Sequence, residues 1–331
     1  MFVKFKISLI LSAAIIFFLS GILAYSYCYG ETSLIGSQTG DEAVIAEEKL
    51  NPPAPAREES FRQSLKQLIT EGSDMPHQLD TSFKYMPLQS VKSQDGEVAI
   101  NEVESEYSYD LKIAGKLPVE LSLYQQYIDI NESTAVPLPS KLTGVSAGIQ
   151  TTFPFFNIDK TYFRLRLIPS FYSDRWSFNS GNFRLPVHMF VIHQPSDKLT
   201  LLAGVGIYPD YADNVVPIFG FIYKPTDKLT FNIVPIRANI SYDLTDKLSL
   251  FTVFDATSDE YLVRKDGVKN VTLYYKQRFL GAGLSYEINK NVTVSLSGGN
   301  VFGRVLEYKD YQGKVSIKNG LYTEFRLELS A

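Results

Sequence analysis

From about residue 97 onward the chain alternates apolar and polar positions with a period of two. The cleanest run is Glu102-Val103-Glu104-Ser105-Glu106-Tyr107-Ser108-Tyr109-Asp110-Leu111-Lys112-Ile113. Its odd positions are apolar apart from Ser105, and its even positions are charged or small and polar. A strand sends successive side chains to opposite faces. Wound as a helix, the same residues would mix charge and apolar groups on every side, so the pattern predicts a strand. It recurs in Val145, Ala147, Ile149, Thr151 and Phe153, and in Phe163, Leu165 and Leu167 set against Tyr162, Arg164 and Arg166. Phe183, Leu185, Val187, Met189 and Val191 oppose Arg184 and His188. Near the end, Leu321, Thr323, Phe325, Leu327 and Leu329 oppose Tyr322, Glu324, Arg326 and Glu328.

One turn motif punctuates the second half. It reads Pro195-Ser196-Asp197-Lys198-Leu199-Thr200, then Pro225-Thr226-Asp227-Lys228-Leu229-Thr230, then Leu244-Thr245-Asp246-Lys247-Leu248-Ser249. Ile288-Asn289-Lys290-Asn291-Val292-Thr293 is a looser copy. Pro, Asp, Asn and Ser are turn formers, and each copy joins two alternating runs. The copies are unevenly spaced, which excludes a solenoid of fixed period. Hairpins with short turns at one end and variable loops at the other give this pattern, and outer-membrane barrels have that asymmetry.

The expected strands are 80–88, 97–113, 117–130, 141–153, 161–172, 183–193, 198–208, 215–223, 228–235, 237–243, 248–256, 270–287, 291–301 and 315–329. That makes about fourteen, an even number with both ends on the short-turn side. The pair around Pro235 is short and its junction has no loop, so twelve is the alternative. The short turn Ala114-Gly115-Lys116 falls on the same side. Long loops are expected at 131–140, 173–181, 209–214, 257–269 and 302–314.

Alternation also suits an exported soluble sandwich, which buries one face of each strand. Three features favour an all-β transmembrane antiparallel up-and-down barrel. Many runs have the roughly 9–11 residues of a tilted membrane strand, against about 5–6 for a soluble one. Phe and Tyr cluster near strand ends at Tyr124/Tyr127, Phe153/Phe155/Phe156, Phe171/Tyr172 and Tyr274/Tyr275, as interfacial girdles do. The N-terminus supplies the compartment. Residues 1–30 place Lys4 and Lys6 before an apolar run from Ile7 to Ala24, with small residues at Ala24, Ser26 and Gly30. This is the pattern of a secretory signal peptide, although the run is long enough to keep an uncleaved anchor helix open. Cys28 invites a lipoprotein reading, but Tyr25 and Tyr27 stand where small or aliphatic residues belong.

Residues 31–78 read as a periplasmic linker, with Asn51-Pro52-Pro53-Ala54-Pro55 between acidic flanks. Inside it, Ser60 to Gln63 fits a capping box. Phe61, Leu65, Leu68 and Ile69 share one helical face, and Gly72 can close the helix. That short amphipathic helix is expected either as part of a tether or as a plug or docking element. Residues 79–331 are the expected barrel.

Composition removes several functions. The net charge of −4 offers no basic stripe for nucleic acid. A single cysteine excludes an internal disulfide and a thiolate zinc site. His77, His188 and His193 are the only histidines, and 188 and 193 fall on opposite strand faces, so no metal site is expected. No strand displays a serine, histidine and orienting group together, so neither enzyme activity nor a cofactor is expected.

The stretch from about residue 80 to the end resembles a family of Gram-negative outer-membrane barrel proteins with no assigned activity. The carrying segments are Gly204-Val205-Gly206-Ile207-Tyr208-Pro209, Pro217-Ile218-Phe219-Gly220-Phe221-Ile222-Tyr223-Lys224-Pro225, and Asn232-Ile233-Val234-Pro235-Ile236-Arg237-Ala238-Asn239-Ile240-Ser241-Tyr242. The resemblance implies an outer-membrane location. It also implies outer-membrane lipid, periplasmic chaperones and the barrel-assembly machinery as partners. Such barrels usually end in an aromatic residue read by that machinery, whereas this chain ends Leu327-Glu328-Leu329-Ser330-Ala331, with Phe325 the nearest aromatic.

The faces expected to line the lumen carry Glu102, Glu104, Glu106 and Glu120, with Arg164, Arg166, Arg184, Arg237 and Arg326. They would either line a polar pore and set its charge preference, or pair with one another because neither sign faces lipid cheaply. About fourteen strands lie between an eight-strand barrel filled by side chains and an open porin of 16–18 strands. The expectation is a narrow or plugged pore for small solutes, with a non-transporting envelope-structural or surface-binding barrel as the alternative.

Overall fold

The computed structural model describes residues 77–331 except 93, 114–116, 157, 177, 179, 210–213, 235–236, 266 and 310–312. The expected signal peptide and the capped helix after Ser60 lie outside the described residues, as does the turn at 114–116.

Period-two alternation becomes a chain of strands. They begin with β1 (His77–Ser90), β2 (Glu97–Ile113), β3 (Leu117–Glu132), β4 (Lys141–Pro154), β5 (Thr161–Leu167) and β6 (Ser170–Ser173). Next come β7 (Phe183–Arg184), β8 (Val187–Ser196), β9 (Leu199–Ile207), β10 (Val215–Thr226), β11 (Leu229–Ile233) and β12 (Arg237–Asp243). The last are β13 (Leu248–Lys265), β14 (Val268–Asn289), β15 (Val292–Tyr308), β16 (Lys314–Ile317) and β17 (Gly320–Ser330).

Three of these are the upper pieces of interrupted strands. β5 runs on as β6 past Pro169, β7 runs on as β8 past Pro186, and β16 runs on as β17. Proline has no N–H to give to a ladder, which accounts for the first two breaks. Counted as continuous staves, the barrel has fourteen. Consecutive staves pair antiparallel all the way round, and β17 closes on β1 from Gln78↔Ser330 to Tyr85↔Thr323. Closure leaves no bare edge to be satisfied within hydrocarbon. The short turns stand at one end, together with His77 and Ala331, which exchange backbone hydrogen bonds of 3.0 and 2.8 Å.

Outside the barrel near that end lies an apolar belt. Leu79, Phe83 and Tyr85 on β1, Leu121 and Leu123 on β3, and Leu280, Leu284, Tyr286 and Ile288 on β14 are all exposed. Leu321 and Phe325 extend it on β17. Inside, at the same height, the inward positions are polar. Toward the loop end the two faces exchange character. On β2, Val103 and Tyr107 face out and Glu102, Glu104 and Glu106 face in, yet two residues higher Val98 and Ile100 face in and Glu97 faces out. On β14, Leu280 faces out, whereas Lys276 and Arg278 occupy that face above it and Leu273 and Val271 turn inward. The upper part of the wall therefore has the inside-apolar, outside-polar pattern of a protein in water.

That part is solid. Met86, Val98, Ile100, Ile128, Ile130, Leu142, Tyr172, Tyr261, Val263, Leu273, Leu306, Tyr308, Val315 and Ile317 form one buried apolar cluster, with Val136 and Leu138 of the β3–β4 loop packed on it. Its members come from β1, β2, β3, β4, β6, β13, β14, β15, β16 and β17. These strands close a smaller ring of their own. β13 pairs with β12 only as far as Arg237↔Asp255, and it then meets β6 in a parallel bridge, Leu262↔Ser173. Asp174 N–H donates to the Leu262 carbonyl at 3.4 Å, and Arg264 N–H donates to Asp174 Oδ2 at 3.0 Å. With β16 and β17 as one stave, nine staves share this roof, and the five from β7/β8 to β12 stay outside it. A second, smaller apolar cluster of Phe190, Ile192, Leu202, Ile218 and Val234 covers the inner wall there.

Two expectations are corrected. Residues 257–265 and 302–308 continue β13 and β15 rather than forming loops. Their polar residues read as loop in sequence, but Thr257, Asp259 and Tyr261 find cross-strand partners in Gln277, Tyr275 and Leu273. The girdle expectation also fails for Tyr124, Tyr172 and Tyr275, which point inward and are buried. Adjacent strand residues face opposite ways, so Phe171/Tyr172 and Tyr274/Tyr275 each supply only one ring to the outside.

Candidate functional site: the polar lumen beneath the roof

Below the roof the inner wall is a connected polar lining. Alternation alone turns Lys84 (β1), Glu102, Glu104 and Glu106 (β2), Glu120 and Gln126 (β3), Arg164 and Arg166 (β5), Asp255 and Asp259 (β13), and Glu324 and Arg326 (β17) to the inside, all of them buried. Exposure rises toward the short-turn end, where Lys112 and Glu287 on the same faces are exposed, while Val98 at the loop end is fully buried. The inner face is therefore more exposed toward the turns than toward the loops.

The charges fall into three groups. In the first, Arg166 holds Glu106 at 3.0 Å and donates to Ser122 Oγ at 3.3 Å. Nearby, Gln150 donates to Glu120 at 2.9 Å and Arg164 Nε donates to Thr152 Oγ1 at 2.9 Å. In the second, Arg237 grips Glu324 with both terminal nitrogens, at 3.3 and 3.1 Å. Arg326 lies 3.5 Å from the same carboxylate and 3.7 Å from Asp80.

The third group is centred on Lys84, directly under the roof. Its ammonium is 3.4 Å from Asp255 and 3.9 Å from both Glu102 and Glu104, and it lies 4.9 Å from the centroid of the Phe279 ring. Glu102 accepts from Tyr275 Oη at 2.5 Å and Gln277 Nε2 at 2.6 Å. Glu104 accepts from Ser82, Tyr124 and Gln126, each at 3.3 Å. Gln126 in turn accepts from Tyr261 Oη at 2.6 Å, which ties this layer to the roof.

Of the nine residues singled out in the sequence, Glu102, Glu104, Glu106, Glu120, Arg164, Arg166, Arg237 and Arg326 come together on this lining. Arg184 is placed apart, on β7 near the loop end, where it donates to the carbonyls of Gly181 and Phe183. Lys84, Asp255, Asp259 and Glu324 complete the lining and were not singled out. Their signal was the face they share with neighbours of known direction, as Lys84 shares that of Asp80 and Ser82. His188 also faces inward, bonded to Tyr208 Oη at 2.7 Å.

Residues 77–329 match the family described as Domain of unknown function (DUF6268). The chain belongs to this family. Among curated proteins none is similar to it in sequence at a significant level. Solved barrels resemble the DUF6268 chain in shape. The COG4313 outer membrane channel from Pseudomonas putida F1 is 9% identical, with a TM-score of 0.45 over 79% of this chain and 97% of that one. A Pseudomonas aeruginosa FadL homologue is 10% identical, with a TM-score of 0.44 over 78% and 90% of the two chains. The KdgM porin in complex with oligogalacturonate is 9% identical, with a TM-score of 0.32 over 76% and 99%. Each likeness is distant.

Proposed function

We propose that the chain is an outer-membrane barrel acting as a narrow pore for small solutes, held shut on its loop side by its own packed side chains. The observation that carries this reading is the polar lumen itself. An interior filled with apolar residues is often as stable as one filled with ion pairs, or more stable, because charges lose their hydration on burial. Ionisable groups retained at membrane depth point to a pathway or binding role. The apolar belt, the closed wall and the turn-and-loop asymmetry support the membrane location. The lumen opens at the end that carries the short turns, which is the periplasmic end in such barrels.

The packed roof favours a second reading, a barrel that transports nothing. Planar-bilayer recording of the refolded full chain separates the two. The pore reading expects rare or small openings from the native protein and larger, frequent ones after Leu273→Ala with Val98→Ala thins the roof. Silence from both proteins, each verified as folded and inserted, overturns it.

A further inference from the structure

The Lys84 layer gathers four carboxylates around one hydrogen-bonded ammonium. Glu102, Glu104, Asp255 and Asp259 are all buried there. Lys84 is shared among three of them and lies no closer than 3.4 Å to any. Asp259 is 2% exposed and its Oδ1 has no hydrogen-bond donor among the described residues, while its carboxylate is approached by Tyr261, at 3.4 Å from Oδ2, and by the Gln126 amide. Gln277 is 1% exposed and donates to Glu102, while its own Oε1 lacks a donor among the described residues. A second cation beside this layer, Arg304, is buried close to Glu102 and Tyr275, and among the described residues none of its three guanidinium nitrogens makes a hydrogen bond. Buried acceptors without donors are costly, and carboxylates out of water hold cations strongly.

We propose that Glu102, Glu104, Asp255, Asp259 and Gln277 form a cation subsite under the roof, which takes the ammonium of a small organic amine in competition with Lys84. The proposal names the solute class of the pore and in that respect rests on the pore reading. Lys84 is an ammonium on a tether, so the layer already displays the chemistry it accepts. Phe279, over which Lys84 lies, supplies an aromatic face that suits a cation. The unsatisfied oxygens of Asp259 and Gln277 would receive the N–H donors that Lys84 does not deliver. Solutes would enter from the turn end, and the apolar roof would stop them from leaving on the far side.

The test is calorimetric titration of the full-length barrel in detergent micelles with putrescine, using 1,4-butanediol as an uncharged probe of the same length. Putrescine is expected to bind and the diol is not. Asp259→Asn should weaken putrescine binding about tenfold or more, because an acceptor oxygen is replaced by a donor amide, and Lys84→Met should strengthen it by about tenfold, because the competing ammonium is removed. Opposite signs in two variants cannot come from general loss of fold, which heat-modifiability on gels also checks. Absent putrescine binding, equal binding of the diol, or both variants weakening binding overturns the subsite. Binding that follows this pattern in a barrel that stays electrically silent keeps the subsite and removes the pore. Conductance without putrescine binding does the reverse.

Discussion

Leu262 and Ser173 belong to strands on different sides of the wall, yet they are paired in parallel. β13 reaches β6 because β11 and β12 are short and leave its upper half without a partner on that side. The bridge turns nine of the fourteen staves into a closed upper ring, and the apolar inward rows fill it. A fourteen-stave circumference is wide for side chains alone to fill, whereas the smaller ring is packed solid. The packed upper ring is thus a consequence of where β12 stops.

If the bridge holds in the membrane, cysteines placed at both ends of it will couple. The Leu262→Cys/Ser173→Cys variant should form a disulfide on mild oxidation, because directly paired residues bring their Cα atoms within the 4.4–6.8 Å range such bonds use. A gel shift between oxidised and reduced protein reads the outcome. A folded, inserted barrel that never cross-links would show that the upper ring is open.

The exchange of faces along the strands gives an arginine scan two opposite results. Leu284→Arg, in the outward belt, should destabilise the inserted barrel by about 2–4 kcal/mol if it lies near the bilayer midplane. Asn101→Arg, on the outer face of β2 above the belt, should cost less than about 1 kcal/mol. Reversible unfolding in lipid vesicles measures both, and equal costs would contradict the exchange.

Arg166 and Glu106 should behave as a coupled buried pair. Glu106→Gln removes the carboxylate charge 3.0 Å from the guanidinium and is expected to cost about 3–5 kcal/mol. The double change Glu106→Leu with Arg166→Met should recover most of that loss. Additive losses in the cycle would show that the two side chains do not depend on each other.

Rings laid over glycines set the last expectation. A Cβ on Gly144 would sit 2.6 Å from Tyr172 Cε1, so Gly144→Val should displace this roof tyrosine and destabilise the barrel by about 1–3 kcal/mol. The Gly144→Val/Tyr172→Leu pair should regain part of the loss, as measured by the same unfolding experiment.

Much of the wall was legible in one dimension. β2 and β12 start and stop where alternation places them, at 97–113 and 237–243. The exchange of faces was also written there, since the apolar set moves from even positions at Val98 and Ile100 to odd ones at Val103 and Tyr107. Read as one continuous alternation, that shift was missed, and the roof with it. Pairings such as Lys84 with Asp255, 171 residues apart, leave no local trace.

Side-chain direction depends on the parity of a position in its strand, so the sequence by itself determined an antiparallel barrel of fourteen or twelve staves and brought eight of the nine residues singled out to the inner lining. It could not say which lumen residues meet across the barrel, because those contacts depend on the tilt and stagger of the closed sheet. Tertiary structure alone decided the short β11–β12 hairpin's effect, the β13–β6 bridge and the apolar roof. Each of these joins residues distant along the chain, and it is the packing between them, not any local preference, that fills the upper ring and gathers the carboxylates beneath it.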